Sequence, residues 1–118
     1  MSKRMVDKDF EKADFLEKDP VIRTFYNKVQ KVAGKHLKGF VLFGSRARGD
    51  NKAYSDYDFL IILEYENTYM VDGIRDAEVH ILNTFDVLVN AIIISEEGWQ
   101  RRKTLPFGRN ILREGFAL

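Results

Sequence analysis

A chain of 118 residues with 45% apolar side chains, 31% charged side chains and 2 prolines has the make-up of one folded domain. It is neither a disordered segment nor long enough for two comfortable cores. The net charge of +1 gives no basic excess for wrapping duplex DNA, and the absence of cysteine excludes a disulfide framework and a thiolate zinc site.

In chain order, residues 6–17 show a weak stripe of Val6, Phe10, Phe15 and Leu16, so 1–18 is expected to be a weakly structured or short helical lead-in. The opening MSKRMVDKDFEKADF is too charged for a secretion signal, and no apolar run approaches the length of a membrane span, so the expected compartment is the cytoplasm. Asp19 followed by Pro20 reads as a helix N-cap with proline at the first helical position. Ile22, Phe25, Tyr26, Val29, Val32 and Ala33 then recur at three- and four-residue steps, which predicts an amphipathic helix ending near Gly34. Phe40 to Phe43 and Phe59 to Leu63 are short apolar runs that read as buried strands, separated by a polar loop. Residues 71–82 are expected as a helix or irregular segment. In the run Phe85 to Ile94, Phe85, Val87 and Val89 alternate with Asp86, Leu88 and Asn90, which predicts a strand with two unlike faces. The end reads as two helices, Glu96 to Lys103 and Phe107 to Arg113, broken at Pro106 and stopped by Gly115. The expected class is mixed α/β (α+β), one domain over 1–118 built on a small mixed β-sheet flanked by helices.

The loop between the first two strands carries the chemistry. Asp56 and Asp58 are two apart at a strand entry, so both side chains are expected on one face of the sheet. Two carboxylates that close repel unless one binds a proton or a cation lies between them, and hard ions such as Mg²⁺ prefer oxygen ligands of this kind. Asp86 is the candidate third carboxylate, because a charge inside an apolar strand has a desolvation cost that something must offset. The plain alternative puts Asp86 on an exposed face beside Asn90. Upstream, Gly44 directly after a strand permits a sharp turn and close approach of backbone N–H groups to a ligand, and Ser45 adds a hydroxyl where a helix would begin. Gly-Ser alone would be an ordinary turn; Arg46 and Arg48 beside it bring guanidinium groups suited to phosphate oxygens. A phosphate cradle next to a carboxylate metal site is the equipment of metal-assisted phosphoryl or nucleotidyl transfer. The Walker-type loop and the dinucleotide glycine fingerprint are both absent.

The stretch from Gly44 to Asp58 resembles the G-S-x(10)-D-x-D signature of the DNA polymerase β-like nucleotidyltransferase superfamily. The form GSRARGD…SDYDF is most similar to its smallest members, the minimal nucleotidyltransferases or MNT proteins. TFDVLVN places Asp86 where that family has its third carboxylate, and the closing PFGRNILREGFAL is also similar, so the likeness spans about residues 20–118. Tyr57 and Phe59 stand where aliphatic residues are more usual. The resemblance implies that Asp56, Asp58 and Asp86 hold two Mg²⁺ ions, that Asp86 helps deprotonate an attacking hydroxyl, and that Gly44 and Ser45 grip the triphosphate of ATP. Arg46, Arg48 and Ser55 are further nucleotide-binding candidates, Arg48 as a group that steadies the leaving pyrophosphate.

The implied activity is transfer of AMP to a tyrosine hydroxyl of a small helical HEPN partner, the chain acting as antitoxin, with oligomerisation left open. A binding subunit that masks such a partner with little or no catalysis is the alternative, and an aminoglycoside-type small-molecule transferase, which generally needs a further substrate domain, ranks last. His36 and His80 have no metal-ligand spacing and read as surface or helix-end residues. Trp99 fits either a partner anchor or a core residue, and Arg101, Arg102, Lys103, Arg109 and Arg113 read chiefly as a solvated helix face.

Overall fold

The computed structural model describes residues 11–12, 14–52 and 55–118. Residues 6–10 and 13 of the helix expected over 6–17 lie outside them, and of the rest Glu11–Lys12 is strand, so only the end of that segment is helical. Within them, a two-residue strand β1 (Glu11–Lys12) and one helical turn α1 (Phe15–Lys18) precede α2 (Pro20–Ala33). Helix α2 starts where the sequence predicts: Asp19 Oδ1 accepts from the Val21 and Ile22 N–H groups at 2.8 and 3.3 Å, with Pro20 in the first turn. It ends at Gly34, whose φ of 53° turns the chain through one 3-10 turn into β2 (Leu37–Phe43).

One helical turn, α3 (Ser45–Arg48), follows β2, and a loop leads to β3 (Tyr57–Leu63). The long helix α4 (Thr68–Phe85) then carries the chain over to β4 (Val89–Ser95). Helices α5 (Glu96–Arg102) and α6 (Pro106–Glu114) and a short β5 (Phe116–Ala117) complete the fold. Pro106 opens α6 rather than merely breaking the chain, as its fixed φ suits a first helical position.

The sheet runs β1-β5-β2-β3-β4. β2 is antiparallel to both β3 and β5, and β3 is parallel to β4, a pairing that needs a crossover such as α4 provides. Alternation along the strands splits the core in two. Tyr57, Phe59, Ile61 and Leu63 face α2 and α4, meeting Phe25, Val29, Ile74 and Ile81, while Leu60 and Ile62 face α5 and α6, meeting Trp99 and Ile111. Trp99 is therefore core. Phe25, Phe40 and Phe59 pack with ring centroids 5.0–5.8 Å apart, which gives the aromatic Phe59 its place in the first layer.

The segment before β4 departs from expectation. Phe85 ends α4, and Asp86 is that helix's C-cap, with φ 57° and ψ 39° and its N–H donating to Leu82 O at 3.0 Å. Phe85 and Val87 do pack against the helix-side core, so the alternation reports burial correctly. The backbone is nonetheless helical and then turning, because the C-terminal side of α4 buries its apolar stripe through Ile81 while Asp is tolerated in the left-handed region that ends helices.

Candidate active site

The site lies where the end of β2 meets the starts of β3 and β4. Gly44 closes β2 with φ 80° and ψ −161°, a region essentially reserved for glycine. A Cβ there would collide with the Asp58 carboxylate, whose Cγ it would approach to 3.2 Å. Glycine thus serves two ends at once: it makes the turn and leaves room for the acid in the neighbouring strand.

Asp58 pairs with Phe43 on one side and Asn90 on the other, and by alternation shares the sheet face of Leu60 and Ile62. Asn90, Ile92 and Ile94 alternate onto the same face of β4. Asp56, just ahead of β3, is tied in because Asn90 Nδ2 donates to its Oδ2 at 3.0 Å. Burial pushes the Asp58 carboxyl above its ordinary range; the charges of Asp56 and Glu114 add to this, and a hydrogen bond from Asn90 and the charge of Arg48 oppose it. A half-buried carboxylate beside two other anions is a place that favours a cation. The donor set of Asp56 and Asp58 therefore fits Mg²⁺, an ion commonly held by one or two carboxylates together with substrate phosphates.

Asp86 does not join them on the strand. The residue beside Asp58 in β4 is Asn90, a neutral amide, and Asp86 sits exposed on the turn before that strand. Among the described residues no three acidic or histidine side chains gather at metal-binding spacing, so the three-carboxylate cluster expected from sequence is replaced by two acids and an amide.

The remaining candidates divide. Gly44 and Ser45 lie at the turn beside Asp58, Ser45 opening α3. Arg48 stays on this side, its Nη1 donating to Glu114 Oε2 at 2.9 Å and its Nε to Asp50 Oδ2 at 3.2 Å. Arg46 goes elsewhere: its guanidinium lies 3.9 Å from the ring centroid of Tyr57 and its Nε donates to Ser55 O at 2.9 Å, so it braces the loop from the α2 side of the sheet. Ser55 is also engaged in the loop, its Oγ accepting from the Lys52 N–H at 2.8 Å. Tyr57 continues this brace: its hydroxyl donates to Asp19 Oδ2 at 2.8 Å, and burial and then that carboxylate keep it protonated.

Two site residues escape the sequence reading. Asn90 is visible there only as a neighbour of Asp86, and its role follows from where β4 begins. Glu114, at the end of α6, accepts from the Gly44 N–H at 2.9 Å through Oε1 while Oε2 holds Arg48. A contact spanning 70 residues has no local signal, and only the likeness of the closing segment to related chains hints at it. His36, paired with Glu64 at 2.8 Å, and exposed His80 lie apart from the site's hydrogen bonds, as expected for surface residues. Of the basic group near the end, Arg101, Arg102, Arg109 and Arg113 are exposed.

Residues 22–105 match the model of the nucleotidyltransferase domain family. A Methanocaldococcus jannaschii protein, provisionally named as protein adenylyltransferase MJ0604, is 33% identical over 103 residues, covering 87% of this chain and 99% of its own. Two solved structures share the fold: a toxin–antitoxin with AMP-PNP, with a TM-score of 0.56 and 15% identity, and a mutant of the toxin–antitoxin MntA-HpeT, with a TM-score of 0.54 and 16% identity. Each match covers 79% of this chain and 68% of the solved one. A glycine turn against a carboxylate pair on a small mixed sheet, in a chain most of which matches that family, makes this protein a nucleotidyltransferase of the nucleotidyltransferase domain family.

Proposed function

We propose that the protein is a Mg²⁺-dependent adenylyltransferase that moves AMP from ATP onto a hydroxyl of a partner protein, a tyrosine of a HEPN-type helical toxin, and thereby acts as its antitoxin. The observation that carries the reading is the pairing of Asp56 and Asp58 on one sheet face directly against the Gly44 turn. The relative named as a protein adenylyltransferase matches along nearly its whole length, which supports protein as acceptor, and the fold shared with toxin–antitoxin structures supports the partner class.

In this reading the triphosphate lies over the Gly44–Ser45 turn, where Arg48 can swing from Glu114 to a phosphate oxygen. Mg²⁺ held by Asp56 and Asp58 would neutralise charge on the phosphates. The acceptor oxygen attacks the α-phosphorus, the bond to the bridging oxygen of the β-phosphate breaks, pyrophosphate leaves, and the hydroxyl proton passes to solvent or a site carboxylate. Asn90 cannot take that proton, since a carboxamide is not a base at neutral pH.

Incubation of the purified chain with α-labelled ATP, Mg²⁺ and the product of the adjacent gene tests the proposal. Label on the partner's tyrosine, falling by about 10²-fold or more in Asp56→Ala and Asp58→Ala, is the expected result, since each removes a metal ligand worth several kcal/mol of transition-state stabilisation. Label that persists in both variants contradicts it. The neutral Asn90 in place of a third acid favours one second reading, a weakly catalytic subunit that covers its partner; a stable complex with no label would select it.

A further inference from the structure

The place beside Asp58 in the β3–β4 ladder holds a carboxamide where a third acid was expected. The Asn90 amide has two N–H donors; one serves Asp56 Oδ2 at 3.0 Å, and the residue stands directly beside Asp58 in the ladder, where its amide favours that acid's charged form. A carboxylate in its place would offer no donor and add a third like charge to the pair. Glu114, the other acid that acts on Asp58, has both oxygens committed, one to the Gly44 N–H and one to Arg48. The free protein thus presents two carboxylates bridged by a neutral amide, and affinity for a hard cation falls with the charge of its ligand set.

We propose that Asn90 is a positioning residue that sets the order of assembly at this site. From its place beside Asp58 its amide holds Asp56 against that acid in the free protein, and because it brings no charge, a divalent cation enters only in company with a nucleoside triphosphate, whose phosphate oxygens complete the ligand set. The proposal rests on the reading of Asp56 and Asp58 as the cation ligands of a nucleotidyltransferase. It predicts a resting protein that carries no tightly bound ion, and a cation affinity that rises when residue 90 gains a charge.

Manganese uptake measured by equilibrium dialysis, in which the ion and the analogue distribute freely and only what the protein holds is in excess on its side, provides the test, on wild type, Asn90→Asp and Asn90→Ala, each with and without a non-hydrolysable ATP analogue. Wild type is expected to take up Mn²⁺ only when the analogue is present. Asn90→Asp, which changes an exposed side chain without changing its shape, is expected to bind Mn²⁺ alone at least about tenfold more tightly, as a ligand set gaining one charge should. Asn90→Ala is expected to take up the manganese nucleotide several-fold more weakly while its melting temperature stays near that of wild type. Equal Mn²⁺ affinity of wild type and Asn90→Asp without nucleotide would overturn the assembly order, and undiminished uptake by Asn90→Ala would remove the clamp. Failure of every protein to bind Mn²⁺ with the analogue would instead overturn the underlying reading of Asp56 and Asp58.

Discussion

Gly44 and Asp58 show how closely two positions can be bound to each other. One needs a backbone conformation that other residues avoid, and the other needs the space that the missing Cβ leaves. Gly44→Ala is expected to cost about 1–3 kcal/mol in unfolding experiments through backbone strain alone, and to abolish nucleotide binding by displacing the Asp58 carboxylate. A binding constant within about twofold of wild type would contradict the shared constraint. Asp58 itself carries a pH signature. Because its carboxyl is raised by burial and by Asp56 and Glu114, the folded protein keeps a proton that the unfolded chain has released between the ordinary carboxylate range and the raised value. Stability therefore falls as pH rises through that window and stays lower above it. Asp58→Asn is expected to remove this part of the slope and, in metal-free buffer at pH 7, to melt at or above the wild-type temperature while losing activity. A lower melting point at pH 7 would show that the charge is not strained. These residues were legible because glycine and closely spaced acids have few roles that fit a strand entry. Asn90 was not, since an amide on an alternating strand has no sign of its own until its neighbours are known.

The elements repeat that division between local and distant information. Helix α2 was readable to the residue because its signals are contiguous: a capping aspartate, a proline, an apolar stripe and a terminal glycine. Helix α4 ran on to Phe85, and Asp86 became its cap, because a short apolar run looks alike in a helix end and a strand. That one boundary moved the expected third acid out of the site and put Asn90 into the ladder. Asp19 links the two kinds of information. It caps α2 through Oδ1 and accepts the Tyr57 hydroxyl through Oδ2, so a helix start is fastened to the first residue of β3. Asp19→Ala is expected to destabilise by about 2–3 kcal/mol, the sum of a lost cap and a buried hydroxyl left without its acceptor. Tyr57→Phe should cost about 1 kcal/mol, and in the double variant the two effects should add to less than their sum. Strict additivity in chemical denaturation would show that the two residues act apart.

Across the whole molecule the sheet separates support from chemistry. One face packs α2 and α4 on the aromatic layer and holds the Tyr57–Arg46 brace. The other carries Asp58, Asn90 and the α5–α6 layer, with Glu114 reaching back to the turn that follows β2. Arg46 and Arg48, two residues apart in the sequence and both nucleotide-binding candidates there, fall on different sides of this partition. The fold class and the acidic pair could be read from pattern and resemblance, while the partition depends on contacts across the sheet. Crystals grown with Mn²⁺ and a non-hydrolysable ATP analogue, with the ion located by its anomalous scattering, test the whole account most directly. The account predicts a manganese peak bonded to oxygens of both Asp56 and Asp58 and to the phosphates, with the triphosphate against the Gly44 N–H and Glu114 turned away. A nucleotide bound elsewhere, such as the cleft lined by Ile92, Leu105 and Phe107, or an ion that touches neither aspartate, would contradict it.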